Sequence, residues 1–159
     1  VEHQIGIISD THVPRFRLPI DVVEQHFSAV EMIIHAGDLS TLDVLNTLET
    51  IAPVVAVQGN IEEEDVVRTL SLKREVVVGG CRIGVVHILK QEHLARQEFH
   101  LARVVLFGHS HTPYNQEYDG QLLFNPGSVT DRRRQPACSL GLLTIDDETG
   151  QVQGNIIRL

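Results

Sequence analysis

Ile5-Gly6-Ile7-Ile8-Ser9-Asp10-Thr11-His12 is a short apolar run that stops at a hydroxyl, a carboxylate, a second hydroxyl and an imidazole. It reads as a buried strand ending where polar groups begin. A second strand is expected over Val30 to His35; between the two, Leu18-Pro19 leads into Ile20, Val22, Val23 and Phe27 at helical spacing, with Pro19 suited to a first turn. That is a β-α-β unit. Ser40 or Thr41 can cap a second helix with the stripe Leu42, Leu45, Leu48 and Ile51, and Pro53 precedes a third strand, Val54 to Val57. A short helix is expected within Ile61 to Val67, and Glu75 to Val78 with Cys81 to His87 about Gly79-Gly80 predicts a hairpin. Lys90 to Ala102, with Leu94, Phe99 and Leu101 among charges, predicts a surface helix leading into a strand over Arg103 to Phe107. Beyond it, Tyr114 to Tyr118 and Gln121 to Phe124 flank Asp119-Gly120, and Ser139 to Ile145 and Val152 to Ile157 flank Glu148-Thr149-Gly150. The C-terminal third is therefore expected to be all-β and antiparallel. No linker, low-complexity segment or repeat interrupts the chain, so one domain over residues 1–159, an α/β sandwich of two sheets, is expected.

Composition narrows the function. A chain of 159 residues with 42% apolar side chains supports a substantial core. A formal net charge of −8, with 4% aromatics and no Trp, disfavours general nucleic-acid binding, because phosphate backbones are repelled and bases find few stacking platforms. Apolar runs such as Val54 to Val57 and Val104 to Phe107 fall far short of the roughly twenty residues a membrane span needs. With neither a basic n-region nor a long apolar h-region at the start, a cytoplasmic location without membrane contact is expected. Cys81 and Cys138, at positions that read as strand, are expected to be small core residues rather than a disulfide or thiolate site.

The strand ends carry the chemistry. Five apolar runs end in order at Asp10, Asp38, Asn60, His87 and His109, at intervals of 28, 22, 27 and 22 residues, one strand-helix step apiece. In right-handed β-α-β sheets the carboxyl ends of parallel strands share one edge, so these separated residues should converge. Asp oxygens, an Asn carbonyl and imidazole nitrogens suit Mn, Fe, Zn, Co or Ni. Asp10-Thr11-His12 alone is weak, an Asp-x-His being expected about 0.5 times by chance in this composition, whereas Gly108-His109-Ser110-His111 is expected only about 0.04 times. Two histidines at i and i+2 after a strand can face adjacent centres across a turn, which points to a two-centre site.

Ser9-Asp10-Thr11-His12, His35-Ala36-Gly37-Asp38, Gln58-Gly59-Asn60, Val86-His87, Gly108-His109-Ser110-His111 and Asn125-Pro126-Gly127-Ser128 resemble, in order and spacing, the calcineurin-like metallophosphoesterases, in particular their small single-domain bacterial and archaeal phosphodiesterase branch. The resemblance covers Ile5 to Ser128 and implies a four-layer α-β-β-α sandwich of two mixed sheets with two divalent ions, manganese foremost, at the carboxyl edge. It further implies that Asp10, His12, Asp38 and His111 hold one ion and Asp38, Asn60, His87 and His109 the other, with Asp38 bridging. A hydroxide shared by ions roughly 3.5–4 Å apart would attack phosphorus in line, and two carboxylates against four positive charges leave a locally positive centre in an acidic protein.

Two positions depart from the family pattern. Many larger relatives have histidine after the motif asparagine to assist the leaving group; here Ile61 stands there, so diesters or activated aryl esters of a small organic phosphate are the expected substrates rather than alkyl monoesters. Ile88 replaces the usual glycine after His87, where it crowds the pocket or changes the loop. Among the remaining residues, His35 is expected to pack beside its strand, and His3, His26, His93 and His100 to be solvated. Glu62-Glu63-Glu64-Asp65 suits a helix start. Arg132-Arg133-Arg134 lies four residues beyond Ser128, in reach of a bound ester, while exposed surface is the ordinary reading of such a run. Asn125 to Ser128 reads as a pocket wall, and Arg15 and Arg17 as surface.

The alternative to an enzyme is a protein-binding scaffold, since one retromer subunit resembles these enzymes yet serves chiefly as an interaction surface. A full set of seven competent ligands favours the enzyme, and exceeds what a structural mononuclear site needs. A homodimer through a sheet edge or helix is the expected assembly.

Overall fold

The computed structural model describes residues 1–159 and contains two five-stranded mixed sheets. The first is built from β1 (Glu2–Ile8), β2 (Met32–His35), β3 (Val54–Ala56), β9 (Ser139–Asp146) and β10 (Val152–Arg158), in the order β10-β9-β1-β2-β3. The second holds β4 (Lys73–Val78), β5 (Cys81–Val86), β6 (Val104–Leu106), β7 (Tyr114–Tyr118) and β8 (Gln121–Asn125), in the order β4-β5-β6-β8-β7. Strands β1, β2 and β3 run parallel to one another, as do β5, β6 and β8. Helices α1 (Ile20–His26), α2 (Asp43–Leu48) and α3 (Glu64–Thr69) belong to the first half, and a 3-10 turn (Glu92–Leu94) runs into α4 (Ala95–Glu98) in the second.

Strand alternation makes four layers of this. Ile5, Ile7 and Ile34 from the first sheet meet Ile83, Val85, Val104, Leu106 and Phe124 from the second in a shared interior. On the other side of the first sheet, Ile8 and Ile33 pack against Val23, Phe27, Val44, Leu48 and Val66. Behind the second sheet, Val105 and Leu123 pack against Ala95, Phe99 and Ala102, a thinner outer layer. Each fully buried aliphatic side chain here contributes about 1.5–3 kcal/mol. Glycine fits an interior strand of each sheet because an aromatic ring lies on it: Phe27 covers Gly6 and Phe99 covers Gly84.

Several expectations are corrected. The helix expected over Lys90 to Ala102 is reduced to one short turn of each kind, because Phe99 leaves helical geometry to drop its ring onto Gly84. The freed carbonyls of Phe99 and Ala102 accept from Gln121 Nε2, at 2.8 and 3.0 Å. The C-terminal third is not wholly antiparallel. All five residues of β8 are buried, so it cannot form an edge, and it lies inside the sheet, parallel to β6, with the more exposed β7 outside it. Helix α3 starts later than expected because Glu62 turns back toward the preceding loop and leaves Glu64 and Asp65 as the acidic first turn. Cys138 stands just before β9 rather than within it. His3 is not merely solvated, since its ring lies between the carboxylates of Glu31 (2.9 Å) and Asp147 (3.0 Å).

Candidate metal centre

Every one of the seven expected ligands follows the carboxyl end of a parallel strand: Asp10 and His12 after β1, Asp38 after β2, Asn60 after β3, His87 after β5, and His109 and His111 after β6. The two sheets thus both deliver side chains to one seam. Two groups form there, Asp10 with His12 and His111, and Asp38 with His87 and His109, the ligand atoms of each lying within 4.8 Å of one another. Asp38 joins them: its Oδ2 is 3.2 Å from His87 Nε2 and 3.7 Å from His12 Nε2. Asn60 closes the second group, with its side-chain amide 3.0 Å from His87 Nε2 and 3.2 Å from His109 Nδ1.

The local chain is bent to bring this about. Asp10, His12, Asp38, His109 and His111 all have positive φ, between 48° and 75°, a left-handed conformation that non-glycine residues adopt rarely. Such conformations cost on the order of 1–3 kcal/mol each and persist where surrounding structure holds them. Here that structure is a mesh of hydrogen bonds between ligand loops. The main-chain N–H of His12 donates to the Asp38 carbonyl (3.1 Å), and that of His109 to Asp10 Oδ2 (3.1 Å). Ser128 Oγ donates to the Asp10 carbonyl at 2.8 Å. Asn125 Nδ2 donates to the Gly108 carbonyl at 3.1 Å, so Asn125 to Ser128 forms the expected wall. Two glycines permit the close approach: a Cβ on Gly59 would strike Asp38 Oδ1, and one on Gly108 would strike Ser9 Oγ.

The donor set fits divalent cations. His87 Nδ1 donates to the Ala36 carbonyl (2.7 Å) and His111 Nδ1 to the Asp131 carbonyl (2.6 Å), which leaves Nε2 of each ring as the atom presented to the centre. His111 Nε2 then faces His12 Nε2 at 3.3 Å. Asp10 Oδ1 is buried with no hydrogen-bond partner, an orphan that a cation would satisfy. Burial pushes the Asp10 carboxyl up to about 7, and the same cause, reinforced at each ring by the charge of Arg133, holds His12, His109 and His111 below the usual imidazole range. Burial opposes charge on Asp38 and His87 too, but their mutual contact outweighs it, holding Asp38 low and His87 high. Asp38 and His87 would hold a divalent cation in place of the proton that compensates this pair.

Several residues matter here that carry no ligand signature. His35 is fully buried; its Nε2 is 3.0 Å from Thr11 Oγ1 and its Nδ1 accepts the Gly37 N–H at 3.1 Å, tying together the loops that hold Asp10 and Asp38. Glu62 accepts the N–H groups of Ser40 (2.7 Å) and Gly59 (2.8 Å), bracing Asp38 against Asn60. The available sequence signal for each was only a polar residue within a few positions of a ligand. Ile61 stands exposed beside the centre and gives its N–H to Asp38 Oδ1 (2.9 Å). Ile88 lines a groove of about 500 Å³ with Leu72, Val86 and Lys73, and Asn60 and His87 stand in its wall.

Parallel strands from two stacked sheets that feed nitrogen and oxygen ligands into one seam define a metal-site sandwich of the phosphoesterase type. The chain belongs to the calcineurin-like phosphoesterase superfamily, whose domain matches residues 4–148. It is 37% identical, over 97% of its length and 91% of the relative's, to a probable metallophosphoesterase of Methanothermobacter thermautotrophicus. A phosphodiesterase of Methanocaldococcus jannaschii is 30% identical over 78% of this chain and 82% of its own. Among solved structures, Vps29 of Entamoeba histolytica complexed with zinc has a TM-score of 0.77 at 23% identity, covering 98% of each chain, a likeness of fold. No helix is long and apolar enough to cross a membrane.

Proposed function

We propose that residues 1–159 form one metallophosphoesterase domain that holds two divalent ions and hydrolyses phosphodiesters of small organic alcohols or phenols by in-line displacement. The observation that carries this is Asp38 Oδ2, set between His12 Nε2 of one ligand group and His87 Nε2 of the other. A carboxylate so placed suits a bridging ligand; Asp10, His12 and His111 complete one site and Asn60, His87 and His109 the second. Ions there would acidify water and neutralise charge on the phosphoryl oxygens. The chain's own part is positioning: the Ala36 and Asp131 carbonyls orient His87 and His111, while His35 and Glu62 hold the loops to one another. With Ile61 where a proton donor would stand, the leaving group departs unassisted by that position, so aryl diesters are favoured over alkyl monoesters. Manganese suits the mixed nitrogen and oxygen set. Two unpaired thiols fit a reducing compartment, and we infer a cytoplasmic location.

The test is one preparation stripped with chelator, titrated with Mn²⁺ and assayed on bis(4-nitrophenyl) phosphate beside Asp38→Asn. About two ions per chain and turnover lost in the variant are expected. Tight metal binding without turnover on any ester would move the chain to the scaffold reading.

A further inference from the structure

Arg132, Arg133 and Arg134 form a cationic recess beside the metal centre that the hydrolysis itself leaves unused. Arg68, Lys73, Arg82, Arg96 and Arg103 each meet a carboxylate within 3.8 Å; these three arginines, like the scattered Arg15, Arg17, Arg74, Lys90 and Arg158, meet none, and they alone are consecutive in the chain. The recess, of about 400 Å³, is lined by Ser110, Thr112, Arg132, Arg133, Arg134 and Gln135, without an apolar side chain. Its backbone is fixed. Asp131 Oδ1 accepts the Arg133 main-chain N–H (3.2 Å), Gln135 N–H returns to the Arg132 carbonyl (2.9 Å), and Arg132 Nη1 reaches the Gln135 carbonyl (2.8 Å). Arg133 adopts φ 48° and extends Nη1 to within 3.5 Å of the His109 carbonyl. Asp131 also accepts from His111 Nδ1, so the arginine loop and the ligand loop are one mechanical unit.

In a chain of net charge −8, three uncompensated guanidiniums at one side of a phosphate-ester site constitute a local inversion of sign. Each carries five N–H donors in a planar fork matched to phosphate oxygens, and Arg134 spends none within the chain. Resting on the phosphoesterase reading, we propose that this recess binds a second phosphate carried by the substrate, so that the substrates are phosphodiesters bearing a further phosphoryl group on one alcohol arm. The diester phosphorus then sits at the seam of ligands and the remote phosphate lies under Arg132–Arg134.

Two esters with the same leaving group separate the terms: thymidine 5′-(4-nitrophenyl phosphate) and its 3′-phosphorylated counterpart, assayed with the Mn²⁺-loaded protein. The 3′-phosphate should raise kcat/KM about tenfold, chiefly through KM. In the triple variant Arg132→Ala, Arg133→Ala, Arg134→Ala this ratio should fall toward one, with recovery in the triple lysine variant. A wild-type ratio at or below one, or a ratio the alanine variant leaves unchanged, overturns the proposal. Calorimetric titration with thymidine 3′,5′-bisphosphate reads the recess without turnover: about tenfold weaker binding to the alanine variant supports the proposal and equal binding overturns it. Failure to hydrolyse either ester would count against the phosphoesterase reading, while the calorimetry still decides the recess.

Discussion

Asp38 Oδ1 occupies the space above Gly59 that any Cβ would need, well inside 3.0 Å. The Asp38 carboxylate and the glycine before Asn60 are therefore complementary parts: one residue is small so that the other can turn into the seam. Gly59→Ala should displace Asp38 and Asn60 together. A shift of about 1 Å in such a constellation costs on the order of 10²-fold in rate. The expected result is a hundredfold or greater loss of Mn²⁺-dependent aryl diester hydrolysis with far-UV circular dichroism unchanged; near-normal turnover would contradict the complementarity.

The left-handed ligand turns predict how metal affects stability. Five left-handed backbone conformations and an orphaned carboxylate oxygen lie where divalent ions would bind, and ions that bind the native state and not the unfolded chain should raise the midpoint of unfolding. At a free Mn²⁺ concentration one hundred times Kd the gain is about 2.7 kcal/mol per ion. Differential scanning calorimetry with chelator and with graded Mn²⁺ measures it, and an unchanged Tm would speak against metal loading.

Two histidines should give stability opposite slopes with pH. Burial holds His35 down at about 3 against 6.5 unfolded, so its stabilisation is complete above 6.5 and is lost as pH falls toward 3. The loss is about 1.4 kcal/mol per pH unit in that window. His3 is raised by the hydrogen bonds it donates to Asp147 and Glu31, so its stabilisation is complete below 6.5 and is lost as pH climbs through its folded value. Urea unfolding of the metal-free protein should show the acid-side slope flattened in His35→Phe and the alkaline-side slope flattened in His3→Gln. Identical slopes in variants and wild type would refute both assignments.

Ile88, Leu72 and Val86 give the groove beside Asn60 and His87 its apolar surface. Ile88→Gly should raise KM for bis(4-nitrophenyl) phosphate several-fold while kcat stays within about twofold, because only binding of the aryl arm is weakened. A fall in KM instead would mean that Ile88 crowds the substrate.

Much of this site is legible in the sequence because candidate ligands at strand ends combine two independent signals, apolar periodicity and residue type. Asp10, Asp38, Asn60, His87 and His109 each terminate an apolar run, and the topology brings all of them to one seam. What stays hidden depends on tertiary packing. Phe99 unwinds its helix to cover a glycine in another strand, and β8 is interior because its whole length is buried. His35 and Glu62 look like any polar residue until the loops they join are seen together. Nothing in the residue types marks Asp10 or His111 as left-handed, since that conformation is imposed by contacts with other loops.

The distribution of ligands over both sheets also sets a timetable. Asp10 and His12 are made early, yet their partner His111 is 99 residues further on, and Asp38 must wait for His87 and His109. Neither group exists on a nascent chain, nor on a half-assembled one, because each draws its members from both sheets. An ion held by either group would therefore need ligands from both sheets in place before it could be fully coordinated. Selection among ions would then fall to the geometry of the assembled cage, not to the looser preferences of an unfolded polypeptide rich in histidine.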